Sequence, residues 1–148
     1  MSNRIHAMGG YNQFEAVAGE AGIYPGMLIE LRSDGMVYRH ATENGRNERM
    51  FATEDPLLGR TVADVYAIGT IVTYIIPNLG SQFQGLFEDG QDVNIGDWCV
   101  SRGNGLLKKQ TDDSSDLDVF AVGVVQVALD LSGSAVANGR TRVRCGGH

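Results

Sequence analysis

From residue 23 onward the chain alternates apolar and polar positions in short runs, each closed by Gly, Asn, Asp or Pro. That is the period of half-buried strands, and it predicts β-structure almost throughout. Residues 27–32 and 36–41 flank Asp34-Gly35. A two-residue connection of this composition favours a type I′ turn, because both central positions take positive φ. Such a hairpin sets Ser33 opposite Met36, Leu31 opposite Tyr38, and Glu30 opposite Arg39 as a cross-strand charge pair. A second hairpin turns at Asn104-Gly105, which places Arg102 opposite Leu107 and Val100 opposite Lys109. The two are written alike: PGMLIELRSDGMVYR (25–39) and IGDWCVSRGNGLLKK (95–109) each open with Gly, reach an Arg at the same offset (Arg32, Arg102), and pass through a turn dipeptide to two apolar residues.

Glycines at 26, 69 and 96 each precede a fresh apolar run, which suits corners between sheet segments. Residues 49–53 read as a short strand, and 69–76 as a strand stopped by Pro77. Residues 118–131 form the longest β candidate, with Val119, Ala121, Gly123, Val125, Val127, Leu129 and Leu131 on one face. Phe120, Val122 and Val124 make the other face apolar at its start, so that end is expected to be buried on both sides. The last strand, 140–145, alternates Arg140, Arg142 and Arg144 against Thr141, Val143 and Cys145. The only helical signal is one turn over 61–66, where Asp64 follows Thr61 at capping-box spacing. Residues 1–22 lack a sustained period and read as a flexible N-terminal arm. Ile5, Tyr11, Phe14 and Val17 give it apolar points, so it is either a bare tail or an arm ordered by a partner or sister subunit. The expected architecture is all-β: a small antiparallel β-barrel or β-sandwich (β-tulip-like) over 23–148, with two similar hairpins and one helical turn.

Composition narrows the function more than the fold. A chain of 148 residues with 43% hydrophobic and 20% charged residues is most simply one domain with a substantial core. Its net charge of -6 opposes binding to nucleic acid, which depends on neutralising phosphates, and opposes an anionic membrane surface. No apolar stretch approaches the roughly 20 residues of a spanning helix. The start, MSNRIHAMGG, lacks the apolar region of a secretion signal, which predicts a protein that stays in a reducing compartment. Cys99 and Cys145 read first as small buried hydrophobes; spacing alone leaves a disulfide open.

Little in the chain promises chemistry. His6, His40 and His148 stand at no ligand spacing to either Cys, and no GxSxG elbow is present, so neither a metal nor a cofactor nor a nucleophile is expected. The acidic pairs Glu54-Asp55, Glu88-Asp89 and Asp112-Asp113 fall at turns. SRGNG (101–105) leads into a strand, whereas a phosphate loop leads into a helix. Trp98 reads as a core or subunit-contact residue. The Arg140/Arg142/Arg144 stripe reads either as a charge-blunted edge strand or as a surface for an acidic protein partner.

Four segments together, YPGMLIELRSDGMVYRHAT, RMFATEDPLLGRTVADVYAIGTIV, DGQDVNIGDWCVSRGNGLLKK and VGVVQVALDLSGS with the Arg-rich last strand, resemble the head decoration (cement) proteins of tailed bacteriophages. The resemblance runs from about residue 22 to 145 and leaves the arm uncovered. It implies a non-enzymatic virion protein without cofactor, made in the host bacterial cytoplasm and seated on the outer surface of the capsid head. The implied partners are the major capsid protein and the chain itself, as a homo-oligomer with a trimer favoured. Ile5, Tyr11 and Phe14 of the arm, with Arg140, Arg142 and Arg144, are the expected capsid or subunit contacts. Asp34, Gly35, Asn104 and Gly105 are the expected hairpin turns. The alternatives are another phage structural β-protein of tail or neck, and a small ligand-binding β-barrel module.

Overall fold

The computed structural model describes residues 5–43, 45–54, 64–110, 121–131 and 139–146. In chain order the strands are β1 (His6–Met8), β2 (Tyr11–Val17), β3 (Leu28–Leu31), β4 (Val37–Arg39), β5 (Met50–Ala52), β6 (Ile71–Pro77) and β7 (Gln82–Phe87). They continue with β8 (Asp92–Val93), β9 (Trp98–Gly103), β10 (Leu106–Lys109), β11 (Gly123–Val125), β12 (Leu129–Asp130) and β13 (Gly139–Cys145). The protein is all-β, as its periodicity predicts. The segment 61–63 of the expected helical turn lies outside the described residues, and Tyr66 instead makes a β-bridge with Ile23.

Two sheets carry the architecture. In the first, pairings run β7–β10–β9–β11–β13 and return from β13 to β7, closing a ring of five strands to which β1 adds at Phe83 and Gln82. Among the described residues, closure leaves no free edge on the five ring strands. The second sheet runs β2–β6–β5–β3–β4. It curls until its two outer strands meet at one end, where Ala18 bridges Val37 and the Gly19 amide donates to the Val37 carbonyl at 2.9 Å. Arg39 fixes that closure by donating from Nε and a terminal nitrogen to Glu20, at 3.0 and 2.8 Å.

The middle of the second sheet is buried on both faces, which explains the continuous apolar run of β6. Phe51 and Ile75 point into the ring's core with Phe83, Phe87 and Leu107. Their neighbours Met50, Ala52, Val72 and Tyr74 point the other way, into a second cluster with Ile23 and Val37. Phe51 and Phe83 stack across the boundary with centroids 3.9 Å apart, so one aromatic pair joins the two sheets.

The hairpins depart from expectation by one residue each. In the first, the Arg32 amide donates to the Met36 carbonyl and the Gly35 amide to the Arg32 carbonyl. The loop is therefore Ser33-Asp34-Gly35, with positive φ at Gly35 (80°) but not at Asp34. Asp34 is held otherwise: its carboxylate accepts the Met36 amide at 2.9 Å and the Tyr38 hydroxyl at 2.6 Å. That competing side-chain bond selects a three-residue loop over the two-residue turn. Leu31 then opposes Val37 and Glu30 opposes Tyr38. The expected Glu30–Arg39 pair is replaced by Glu30–Arg32 and Glu20–Arg39. In the second hairpin Asn104 (φ 54°) and Gly105 (φ 78°) do form the expected turn. Gly103, at φ 90°, adds a bulge, after which Leu107 opposes Ser101 and Lys109 opposes Cys99. A side chain at 103 is disfavoured twice, by that φ and by the Ala41 carbonyl oxygen 3.1 Å from where its Cβ would sit.

Three further expectations are corrected. The long strand ending at 131 is broken between Val125 and Leu129, and its downstream piece, β12, leaves the ring to pair with β8. Val127 is accordingly exposed, while Ala121 and Val122 are buried side by side, as expected for the upstream end. Val119 and Phe120 lie outside the described residues. The 140–145 strand is not an edge: β13 pairs with β7 along its length and with β11. The segment read as an arm contributes two strands, β2 pairing at every residue with β6.

Candidate functional site

The described residues contain no group of three or more His, Cys, Asp or Glu placed to hold a metal. The sequence-derived contact residues separate into buried and exposed sets. Ile5 is fully buried in the ring's core, and its amide donates to Glu54 at 3.0 Å. Glu54 is itself nearly buried, so this N-terminal residue is part of the fold's interior and not a contact point. Tyr11 and Phe14 lie on β2, both partly exposed. Phe14 stands opposite Tyr74 and stacks on its ring at 5.6 Å.

The arginine stripe is graded from inside to outside. Arg140 Nε donates to the Pro25 carbonyl at 3.0 Å. It fills the seam between the sheets beside Gly26, where a side chain is disfavoured by a φ of 93° and by the Gln84 carbonyl oxygen 3.0 Å from where a Cβ would sit. Burial presses the Arg140 guanidinium below its ordinary pKa, with the Glu54 carboxylate opposing. Arg142 stands opposite Gln84, its Nε buried. Arg144 is exposed and lies in one outward row with Val124 of β11 and Trp98 of β9. Of the three, Arg144 is the exposed one.

This grading makes a prediction. Arg140→Ala strands the Pro25 carbonyl and empties a buried seam, so it should cost about 1–3 kcal/mol. Arg144→Ala should stay within about 0.5 kcal/mol of the parent. Urea titration of the two variants checks it; equal costs would remove the distinction.

The remaining candidates are structural. His40 is buried, its Nδ1 2.7 Å from Ser101 Oγ and its Nε2 2.7 Å from the Arg46 carbonyl. It pins the first hairpin to β9, next to the point where the Gly105 carbonyl accepts the Leu28 amide at 2.9 Å. The Asn104-Gly105 turn is thus a clip between the two sheets. Glu88 pairs with Arg102 at 2.7 Å, while Asp55, Asp112 and Asp113 lie outside the described residues. A half-open depression of about 260 Å³ is bounded by Ile29, Glu30, His40, Thr42 and Arg46. Burial raises the pKa of Glu30, but the Ala41 amide and Arg32 together outweigh it and hold the carboxyl below its ordinary value. The Glu30 carboxylate is thus already satisfied by the protein, its Oε1 accepting the Ala41 amide and its Oε2 the Arg32 Nε.

Cys99 and Cys145 are free thiols on either side of β11, both aligned with Gly123. Two strand spacings of about 4.8 Å each separate their backbones, beyond the roughly 7 Å over which a disulfide closes. Burial pushes the Cys99 thiol up to about 12 and raises that of Cys145. Neither should react with a thiol reagent at pH 8 until the protein unfolds, when both should; rapid labelling of the native protein would contradict this burial. Because folding raises these values, their contribution to stability is present below the ordinary thiol value of 9.0 and declines as pH rises above it.

The molecule thus defines a class: an all-β domain in which a closed ring and a curled sheet share an aromatic seam. No protein-family model matches the chain, and no curated protein matches it. Among solved structures it is similar to the head fiber gp8.5 N base of bacteriophage phi29, with a TM-score of 0.54 over 94% of this chain and 100% of that one, at 13% identity. At that identity the likeness shows a common fold.

Proposed function

We propose that this protein is a structural component of a bacteriophage head, and that it acts as a decoration protein on the outer surface of the assembled shell. The observation that carries the reading is the fold shared with the whole of a head-fiber base. The resemblance of four segments to head decoration proteins supports it independently. The proposed partner is the major capsid protein, bridged across neighbouring subunits by an oligomer of this chain, and the chemistry required is none.

Physically, the work of such a protein is avidity. One modest contact per subunit, joined in an oligomer, raises the effective concentration for the next contact, so the assembly can bind roughly 10²–10⁴-fold more tightly than one contact does. Binding the intact lattice in preference to free subunits then stabilises the shell by mass action. Exposed Arg144 and Trp98 are of the residue types that concentrate binding energy at protein interfaces, and exposed Phe14 is of a type enriched there. Co-sedimentation of purified protein with shells that lack it tests the proposal. Saturable uptake that raises the temperature of shell disruption is expected; no uptake at any concentration would end it.

A further inference from the structure

β13 carries two arginines on its outward face that nothing in the protein holds. Arg32, Arg39, Arg102, Lys108 and Lys109 each pair with a carboxylate, and Arg49 and Arg140 donate to backbone carbonyls. Arg142 and Arg144 make neither kind of contact among the described residues. Charge that blunts an edge does not account for them, since β13 is bonded to β7 on one side and to β11 on the other. Both backbone edges of the strand are occupied, so whatever these arginines serve is reached through side chains.

Their surroundings suit a ligand that both accepts and donates. Arg144 stands opposite Gln82, and Arg142 opposite Gln84. Arg142 Nε and Gln82 Oε1 are buried with no hydrogen-bond partner. The two lie diagonally across the β13–β7 ladder, one a donor and the other an acceptor. Buried polar atoms left unpaired are uncommon and costly. Because the Arg142 guanidinium is bonded to nothing, turning it outward onto an acceptor returns a bond to its Nε and breaks none.

The geometry points to a docking site for an extended acidic segment of another protein, one that presents two carboxylates two residues apart. Residues i and i+2 of a strand lie about 6.5–7 Å apart on one face. That distance separates Arg142 from Arg144, and equally the alternate side chains of an extended ligand. Each guanidinium takes one carboxylate through two parallel N–H bonds. The ligand's backbone N–H supplies the donor that Gln82 Oε1 lacks, which a bare sulfate cannot do. Beyond Arg144 the row continues to Val124 and to exposed Trp98, an apolar shelf for a side chain flanking the carboxylates. The net charge of -6 repels a polyanion such as nucleic acid from a distance. A short segment with two carboxylates is held at contact range, where these two cations dominate.

This site does not depend on the partner being a capsid subunit. It is tested on the full chain with the capped peptide Ser-Thr-Glu-Val-Glu-Thr-Ser, followed through the arginine Nε–H and β13 amide resonances. Saturable shifts at Arg142 and Arg144 are expected, with affinity falling as salt is raised. Replacing both Glu of the peptide by Gln, or setting them side by side, should weaken binding about tenfold. Arg142→Gln combined with Arg144→Gln should do the same, read from the amides. Arg46→Gln, at an exposed cation of the first hollow, should leave binding unchanged. If the double variant fails to fold, Arg144→Gln alone, at an exposed position, should still cost about threefold. No shift at any concentration, equal binding of the three peptides, or equal shifts with inorganic sulfate overturns the inference. Self-association of the chain that the Arg144 variant abolishes would seat a second copy here and overturns it as well. Peptide binding without uptake by shells would leave this site standing and sink only the proposed function.

Discussion

Phe51→Ala should lower the stability of the protein by about 3–5 kcal/mol, the cost of emptying a fully buried aromatic site. At roughly 2–4 °C per kcal/mol for a chain of this size, the melting temperature should fall by about 6–20 °C. The size of the effect follows from position. Phe51 has no exposed surface and stacks on Phe83, so its loss opens a cavity where the two sheets meet. Phe83→Ala should cost a similar amount. The double variant should lose less than the sum, by about 0.5–1.5 kcal/mol of aromatic coupling. Strict additivity in a double-mutant cycle would mean that the sheets are not joined through this pair.

Gly123→Ala should be nearly as damaging, although it adds one methyl group. A Cβ at 123 would lie 2.2 Å from the Arg144 carbonyl oxygen and 2.8 Å from a Val143 methyl. One of those neighbours is backbone, so relief requires β13 to move away from β11 and the ring to loosen. Overpacking typically costs about 1–3 kcal/mol and occasionally more, and the upper end is expected here because backbone must shift. Because Cys99 and Cys145 are the residues aligned with Gly123, the same substitution should make both thiols available to reagent in the folded population. A variant with unchanged urea midpoint and protected thiols would show that the strands are not in this register.

Much of this fold was legible in the sequence because strands of period two with turn residues between them leave a direct trace. Strands at 27–32, 36–41, 49–53 and 69–76 all appear near where the pattern puts them. β7 did not, and the reason is chemical. Gln82 and Gln84 look like surface positions, and Gly85 weakens β propensity. Yet β7 pairs with β1, β10 and β13, and a Cβ at 85 would press on a Leu107 methyl 2.7 Å away in the ring's core. Burial of Gln84 between sheets is a tertiary fact that alternation cannot reveal. The hairpin registers slipped for a local reason: at 34 an Asp side chain competes with the turn, and at 103 a glycine adds a bulge. The strand over 118–131 was overextended because an apolar run does not record where it changes sheet.

The surface was read less well than the fold. Arg140, Arg142 and Arg144 look equivalent in an alternating strand, but only the packing of Pro25 and Gly26 against β13 separates a seam residue from an exposed one. Ile5 was indistinguishable from Tyr11 and Phe14 as an apolar point on a polar segment; its burial depends on β7 and Glu54, both distant in sequence.

The central claim is that the protein works by what it touches on an assembled shell. Imaging expanded shells, prepared without the protein and then mixed with it, measures this directly. A head decoration protein predicts added density of this double-sheet shape, repeated at equivalent positions across the outer lattice. Shells whose averaged surface is unchanged at saturating protein would contradict it.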